Sequence, residues 1–429
     1  MEIKAPRGTN DIMPDQAKSW YELEKKAVSL FERYGYGRIV TPTFENTALF
    51  ERGIGESTEI VQKEMYTFTD KGGRSITLRP EGTAPVVRAY LEHNLSGQPM
   101  PVKLYYLGSM YRYERPQAGR CREFWQVGVE AIGSADPAID AENILLLIHY
   151  LDYVGISDLK LLINSMGCEK CRPDFVSDIK KKLGKSKDLL CNDCKRRAEQ
   201  NPLRVFDCKK SKCREALKKA PKISNYLCDS CSGHFDQVKS FLKEAKLSFE
   251  QDPWLVRGFD YYTKTTFEVI SEELGAQNAL GGGGRYDGLI EEFGGASTPA
   301  IGFAIGIERV LLALSKQQKK EKKMPGLQVF VIALGEKAKQ KTFRLIYDLR
   351  KVGISADMDF QERSLKGQMK LANKRNAEFT VIIGSDELER NVCGIRNMEI
   401  GSQDEIELDK CVDWFEVNLC KKEQNIEKK

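Results

Sequence analysis

The sequence predicts an α+β fold in several domains, closed by a smaller α/β domain at the C-terminal end. Three observations carry that expectation. Two stretches ahead of Gly133 read as β-hairpins, each an antiparallel pair of strands. A basic, helical stretch from Cys168 to about Lys246 carries four pairs of cysteines and interrupts that region. After the lysine-rich "KQQKKEKKMPG", strands and helices alternate. A chain of 429 residues is also too long for one ordinary core.

Asp15 to Tyr34 reads as a helix, with Trp20, Leu23, Ala27, Leu30 and Phe31 on one stripe and Gly35 ending it. "RIVTPTFEN" reads as a strand, and Pro42 confines it to an edge or an interface. "EMYTFTD-KGG-RSITLRP" is a hairpin turned by glycines. "TAPVVRAYLEHN" opens a helix with Thr83 as its expected N-cap and Pro85 in the first turn. The second hairpin, Gly108 to Gly133, precedes a helix from about Ile139 to Tyr153. Past the cysteine-rich stretch, "YYTKTTFEVI" reads as a strand, "GGGGRYDGLIEEFGG" is glycine-rich, and "IGFAIGIERVLLALSK" is a strand running into a helix. The late domain reads "LQVFVIAL" strand, "KTFRLIYDLRKVG" helix, "ISADMDF" strand, "SLKGQMKLANKRNA" helix, "EFTVIIG" strand.

No apolar run approaches membrane-spanning length, and "MEIKAPRGTNDIMPDQ" lacks the apolar stretch of a secretory signal, so a cytoplasmic protein is expected. Net charge of +5, with 30% charged residues, permits an anionic partner without requiring one. Twelve cysteines in a cytosolic chain argue against a disulfide framework.

Parity assigns the second hairpin a dry side and a working side. Trp125, Val127, Val129 and Ala131 alternate with Phe124, Gln126, Gly128 and Glu130. The first set is apolar and faces a core; the second offers an amide, an acid and a glycine gap where a flat ligand could approach the backbone. Arg112 and Glu114 share a face on the preceding strand. A solvated hairpin with cross-strand ion pairs would give the same pattern. Arg309 falls in the first turn of a helix, where the dipole disfavours a cation unless an anion binds there or an acid such as Glu308 pairs with it. Arg257 stands before Gly258, next to Asp260, Tyr261 and Tyr262.

Cys168-x-x-Cys171, Cys191-x-x-Cys194, Cys208-x4-Cys213 and Cys228-x-x-Cys231 have ligand-like spacing. Eight thiolates could close two structural zinc sites, and the four pairs combine in three ways. Cys121, Cys393, Cys411 and Cys420 look incidental. His149 reads as structural, and His234 is either a solvated side chain or a further ligand beside Cys231.

These segments, in this order, resemble the histidyl-tRNA synthetase family, a class II aminoacyl-tRNA synthetase family, in its bacterial form. "GYGRIVTPTFE" resembles the dimer-forming motif 1, "MYRYE" motif 2 and "GFAIGIERVLL" motif 3. "TLRPEGT" is similar to the amino-acid-binding loop, and "LVRGFDYYTKTTFEV" and "GGGGRYDGL" to the two segments peculiar to the histidine enzymes. The resemblance implies a class II antiparallel sheet of six or seven strands with flanking helices, and a C-terminal α/β anticodon-binding domain. It divides the chain into a catalytic domain in two parts (1–167 and 251–317), a cysteine-rich helical insertion (168–250), a linker (318–326) and an anticodon-binding domain (327–429).

It also implies ATP-dependent ligation of L-histidine to histidine tRNA through histidyl-adenylate, with release of AMP and pyrophosphate, by a homodimer that uses magnesium and touches no membrane. By similarity, Arg112 and Arg257 are the catalytic arginines. Glu81, Gly82, Thr83, Arg112, Gln126, Glu130, Arg257, Tyr261 and Tyr262 bind histidine, Glu130 and Tyr262 holding the two imidazole nitrogens. Arg112, Glu114 and Arg309 bind ATP. Arg115, Gln117 and Arg120 reach the tRNA acceptor end, and Arg285 with its glycines lines the pocket. Buried groups left without ring partners would reject apolar amino acids, so no editing domain is implied. Many family members lack the eight cysteines, so the chemistry is not expected to depend on them. Non-charging relatives that serve as subunits of ATP phosphoribosyltransferase lack the anticodon-binding domain and lose parts of the site. Glu81, Arg112, Arg257, Arg309 and the late domain weigh against that reading. A nucleic-acid-binding module without catalysis would leave the separate arginines and the imidazole-shaped pocket unexplained.

Overall fold

Leu23, Ala27, Leu30 and Phe31 lie on the buried stripe of the first helix, Pro14–Arg33 (α1). The computed structural model describes residues 3–317 and 326–426, apart from 57, 118, 209, 218–219 and 276–277, with side chains as far as 419 in the last helix. The expected linker therefore lies outside the described residues except for Gly326, as does the side chain of Cys420. The chain forms two units, Met1–Lys320 and Glu321–Lys429.

The strand expected over 38–46 is two strands in different sheets. Gly37–Arg38 (β1) is an edge of the main sheet. Phe44–Asn46 (β2) belongs to a three-stranded sheet with Tyr66–Thr69 (β3) and Ser75–Leu78 (β4), with the helix Thr47–Ile54 (α2) between β2 and β3. Pro42 sits in the break, where its missing N–H costs no ladder bond.

Thr83–Glu92 (α3) follows β4. Thr83 does not cap it. Glu81 accepts from the Thr83 and Ala84 N–H groups at 2.7 and 2.8 Å, so the carboxylate of a residue outside the helix satisfies its first donors. That leaves the Thr83 hydroxyl free for a distant partner.

The main sheet then adds Val102–Tyr111 (β5), Glu123–Ile132 (β6), Leu159–Ser165 (β7), Glu250–Gln251 (β8), Thr263–Ser271 (β9), Ala279–Arg285 (β10) and Ala300–Gly306 (β11). Its order is β1-β5-β6-β11-β10-β9-β7-β8. The central strands from β5 to β7 are antiparallel throughout, and each edge is a two-residue strand paired in parallel. The class II expectation holds, with short parallel edges added.

One face of the sheet is covered by α1, by Pro137–Val154 (α4), and by two later helices described below. Val127, Val129 and Ala131 of β6 are buried there with Leu30, Phe31, Leu147 and Tyr150. The parity reading of β6 therefore holds on its dry side. Between β7 and β8 the insertion supplies Arg172–Lys185 (α5), Asn192–Gln200 (α6), Ser211–Leu217 (α7) and Asp229–Glu244 (α8), and α8 returns to pack Phe235, Val238 and Leu242 against the same core. Leu289–Glu292 (α9) is a single turn between β10 and β11, and Ile307–Gln317 (α10) continues from β11 and closes the covered face.

The second unit contains Val329–Ala333 (β12), Glu336–Lys351 (α11), Ala356–Met358 (β13), Leu365–Lys374 (α12), Phe379–Ile383 (β14), Ser385–Glu389 (α13), Val392–Asn397 (β15), Gln403–Glu407 (β16) and Cys411–Ile426 (α14). Its sheet order is β13-β12-β14-β15-β16, parallel for the first three strands and antiparallel for the last two. The expected α/β alternation is present, and the β15–β16 hairpin and α14 extend it. Cys393 and Cys411 are buried in its core.

Among the described residues, no helix is long and apolar enough to cross a membrane.

Candidate active site

The opposite face of the main sheet is packed in part by α3 and α9, and beside them it floors a cavity of about 550 Å³. Glu81, Thr83, Arg112, Gln126, Arg257 and Arg309 line it, together with Glu114, Arg120, Tyr261 and Tyr262. The structure thus brings most of the sequence-predicted residues onto one wall. Arg115 and Gln117 stand exposed on the hairpin loop, outside the cavity lining. Gly82 is buried rather than exposed to the cavity, because a side-chain carbon there would meet the Tyr106 ring at 2.3 Å.

Arg112 lies just past the end of β5. Its Nε donates to the Pro80 carbonyl at 2.8 Å, and its guanidinium lies over the rings of Phe124 and Phe259, 5.2 and 5.7 Å from their centroids. Burial lowers its pKa, and Glu114, Glu64 and Glu81 act against that. Arg257 is ion-paired with Glu268 of β9. Burial works against its charge, but Glu268 and Tyr262 outweigh that and hold its pKa above the ordinary value. Its Nε is buried without a hydrogen-bond partner.

Arg309 stands in the first turn of α10, as expected. The carboxylate of Glu308, the acid beside it, accepts from the Trp125 N–H at 2.8 Å. Burial and the nearby positive charge of Arg120 both depress the Arg309 pKa. Two guanidinium groups that disfavour each other beside a helix N-terminus make an anion-attracting corner. Glu114 pairs with Arg120 at 3.2 Å.

Glu130 lies beneath the floor. Its carboxylate accepts from the Thr83 hydroxyl at 2.8 Å and from the Tyr286 hydroxyl at 2.5 Å. Burial raises its pKa to about 8, the two hydroxyls oppose the rise, and Glu81 adds to it. Glu81 is itself raised, by burial above all. Gln126 Oε1, on the same strand, is buried without a partner, an acceptor suited to a ligand donor. Tyr261 closes the wall, stacked on Phe259 and 4.7 and 5.8 Å from the rings of Tyr262 and Tyr286.

The raised Glu130 carboxyl has a pH consequence. The folded chain binds this proton more tightly than the unfolded chain between the ordinary value of 4.5 and about 8. Its contribution to stability is therefore complete below the lower value and lost as pH rises through the upper one. In melting curves from pH 5 to 9, the decline of Tm with rising pH should be shallower for Glu130→Gln than for the parent. Identical slopes would contradict the shift.

Three expectations are corrected here. Gly128 does not open the backbone to a ligand; a side-chain carbon there would meet the Tyr106 ring at 2.4 Å, so the glycine makes room for that ring. Arg285 does not line the pocket. It is fully buried, its Nε donating to Asp140 Oδ2 at 3.0 Å, its Nη2 ion-paired with Asp140 Oδ1 at 2.7 Å, and its Nη1 and Nη2 donating to the Ser134 and Asp136 carbonyls. His234 is neither solvated nor a metal ligand, because its Nε2 lies 2.8 Å from Asp140 Oδ2 in the same buried group. His149 is exposed at its ring and meets the Tyr34 hydroxyl at 3.0 Å. Sequence reasoning missed Tyr286 and Glu268, the partners of Glu130 and Arg257. It also missed Arg197, Asn201, Arg204 and Asp207 of the insertion, which line the cavity. Tyr286 stands just past β10, after Arg285, and extending that strand's side-chain alternation by one residue is the signal that could have placed it on the face opposite Arg285, toward Glu130.

The eight cysteines form two clusters, Cys168–Cys171–Cys228–Cys231 and Cys191–Cys194–Cys208–Cys213, with all four sulfurs of each within 4.8 Å of one another. This selects one of the three pairings.

The comparisons with known proteins decide what this cavity belongs to. A family model described as histidyl-tRNA synthetase matches residues 8–310, and one described as an anticodon binding domain matches residues 328–418. The chain belongs to the histidyl-tRNA synthetase family. It is 52% identical over 408 residues to the histidine–tRNA ligase of Halothermothrix orenii, covering 95% of this chain and 97% of that protein. The histidine–tRNA ligase of Natranaerobius thermophilus is 51% identical over 409 residues, again covering 95% and 97%. Among solved structures, apo histidyl-tRNA synthetase from S. aureus superposes with a TM-score of 0.82 at 40% identity, covering 96% of this chain and all of that one. A Bacillus halodurans chain described as an ATP phosphoribosyltransferase regulatory subunit/histidyl-tRNA synthetase shares the fold, with a TM-score of 0.66 at 22% identity over 90% of this chain and 99% of that one. As a family member the chain is a class II aminoacyl-tRNA synthetase with an α+β catalytic unit and an anticodon-binding domain.

Proposed function

We propose that this cavity carries out ATP-dependent ligation of L-histidine to histidine tRNA in the cytoplasm. The observation that carries the reading is the meeting of Arg112, Arg257 and Arg309 on one cavity whose floor holds the buried Glu130–Thr83–Tyr286 group. A carboxylate oxygen of histidine attacks the α-phosphorus of ATP, the bond from that phosphorus to the β-bridging oxygen breaks, and pyrophosphate leaves. A hydroxyl of the terminal tRNA adenosine then attacks the acyl carbon of histidyl-adenylate, and AMP leaves. Both steps bring anions together, so positioning and charge neutralisation do most of the work.

Arg112 holds the α-phosphate between its two aromatic neighbours, and Glu114 lies by the adenine. Arg309 takes the outer phosphates. Arg257 stabilises charge that develops on the α-phosphate and the histidine carboxylate. Glu81, Thr83 and Gln126 receive the α-amino and carboxylate ends, while Glu130 and Tyr262 take the ring nitrogens and Tyr261 lines the ring's slot. Magnesium bound with ATP would supply neutralisation of phosphate charge, and Glu64, Glu114 and Glu268 are the hard oxygen donors of the cavity that would hold it. Arg115, Gln117 and Arg120 reach the tRNA acceptor end. Charging of histidine tRNA with labelled histidine, and with no other amino acid, is the expected result; uncharged tRNA would contradict the reading.

Both cysteine clusters hold structural zinc. A tetrahedral site with Zn–S bonds of about 2.3 Å has sulfur–sulfur edges of about 3.8 Å. Cys168 lies 3.7 Å from Cys171 and 3.9 Å from Cys228. Burial opposes ionisation of Cys168 and Cys191, but neighbouring backbone N–H groups and thiols bring each pKa down to about 7. Elemental analysis of protein purified without chelator should give about two zinc ions per chain, as two four-cysteine sites require. Eight freely titrating thiols and no metal would contradict this.

The motif 1 region supports a homodimer. Val40, Phe44 and Phe68 are 74%, 56% and 47% exposed, an apolar surface that a second copy would cover. Sedimentation as a single chain would overturn that assignment.

A further inference from the structure

The segment from Arg257 to Tyr262 carries three of the site residues, Arg257, Tyr261 and Tyr262, yet belongs to no strand, since β9 begins at Thr263. Its carbonyls need donors from elsewhere, and the insertion provides them. Arg204, in the turn Pro202–Asp207, donates from Nη1 to the Arg257 carbonyl at 3.2 Å and from Nη2 to the Gly258 carbonyl at 2.5 Å. Its Nε lies 3.3 Å from Asp260 Oδ1, which also accepts from Asn201 Nδ2 at 2.9 Å. At the other end Arg172, the first residue of α5, donates from Nη2 to the Tyr262 carbonyl and from Nε to the Met166 carbonyl at 3.2 Å. The rigid fork of a guanidinium suits such multiple acceptance.

Each of these arginines is fixed next to one cysteine cluster. Arg172 directly follows Cys171, and its N–H donates to the Cys168 carbonyl at 3.2 Å. Arg204 lies between Cys194 and Cys208 of the other cluster. Its carbonyl accepts from Arg197 Nη1 at 3.3 Å, while Arg197 Nη2 pairs with Glu59 at 2.7 Å and ties the insertion to the catalytic unit.

We propose that Arg204 and Arg172 are positioning residues of the adenylation site, holding Arg257 and Tyr262 respectively, each set in place by a metal-closed cysteine cluster. This rests on the roles given above to Arg257 and Tyr262. It also gives the insertion a part in the chemistry, which the family resemblance does not imply. Arg204 governs where the catalytic guanidinium sits and so acts on the rate. Arg172 governs where the Tyr262 phenol sits and so acts on histidine binding.

The test uses full-length Arg204→Ala, Arg172→Ala and Arg257→Ala, with pyrophosphate exchange normalised to active sites titrated by adenylate burst, and zinc measured in each. For Arg204→Ala, kcat should fall about 10- to 100-fold, the scale of a small misplacement of a catalytic group, with partial recovery on addition of guanidinium ion. For Arg172→Ala, the KM for histidine should rise about tenfold, as for a misplaced hydrogen bond, with the KM for ATP unchanged. Zinc content should stay at the parental value in both. Parental kcat in Arg204→Ala overturns the proposal for Arg204, and parental KM for histidine in Arg172→Ala overturns it for Arg172. So do losses that merely track lost zinc or lost active sites, which is how a brace for the insertion's folding alone would behave. If Arg257→Ala is slow while Arg204→Ala is fast, positioning fails and the role of Arg257 stands. If Arg257→Ala runs at the parental rate, both fall.

Discussion

Arg257→His leaves the fold intact and slows histidyl-adenylate formation by about 100- to 1000-fold, the range typical of removing one preorganised donor from a developing charge. The physical case begins with burial. Arg257 sits in a cavity wall with Glu268 holding one end of its guanidinium, so its charge is in place before substrate oxygens arrive. The backbone opposite is Gly282, where a side-chain carbon would lie 3.1 Å from Arg257 Nη1 and 2.4 Å from the Phe267 carbonyl. The guanidinium is therefore seated on bare main chain. An imidazole is shorter, carries fewer donors and is only partly charged at neutral pH, so it cannot follow the charge that builds on the α-phosphate. Single-turnover adenylate formation under saturating ATP and histidine measures the effect. A rate within a few-fold of the parent would remove Arg257 from the chemistry.

Glu130→Ala weakens histidine binding by about 10- to 100-fold while ATP binding changes little, the scale of leaving buried hydrogen-bonding groups without their partner. Glu130 is only 1% exposed, and both of its hydrogen-bonding neighbours are hydroxyls that also border the ligand space. Removing the carboxylate leaves the Thr83 and Tyr286 hydroxyls without their acceptor at the end of the pocket assigned to the ring. Glu130→Gln, which keeps the shape and an acceptor oxygen, should recover part of the affinity. Calorimetric titration with each ligand separates the two effects. Equal loss of histidine and ATP would mean that Glu130 supports the wall as a whole rather than the imidazole.

Much of this arrangement was legible in the sequence, because it depends on local rules. The two-residue alternation of β6 separated a core face from a working face, and the motif order named the arginines that meet in the cavity. What escaped depends on contacts between residues far apart in the chain. Thr83 has the chemistry of an N-cap, yet Glu81 takes the helix donors and the threonine turns to Glu130. Arg285 follows a glycine run, yet Asp140, far upstream, draws it into the interior. Nor does spacing determine which cysteine pairs share a cluster, since that follows from how α5, α6, α7 and α8 fold back on one another. The grip of Arg204 on the Arg257 segment was hidden for the same reason: a basic residue in a helical, basic insertion looks solvated until the tertiary fold sets it against two carbonyls.

The most direct test of the central claim is exchange of labelled pyrophosphate into ATP, run without tRNA and with each of the twenty amino acids in turn. The arginine cluster and the buried Glu130 group together predict exchange that depends on histidine and on no other amino acid. Folded protein that exchanges with none of them would contradict the account, removing the roles given to Arg112, Arg257 and Arg309 and leaving a synthetase fold put to a non-charging use.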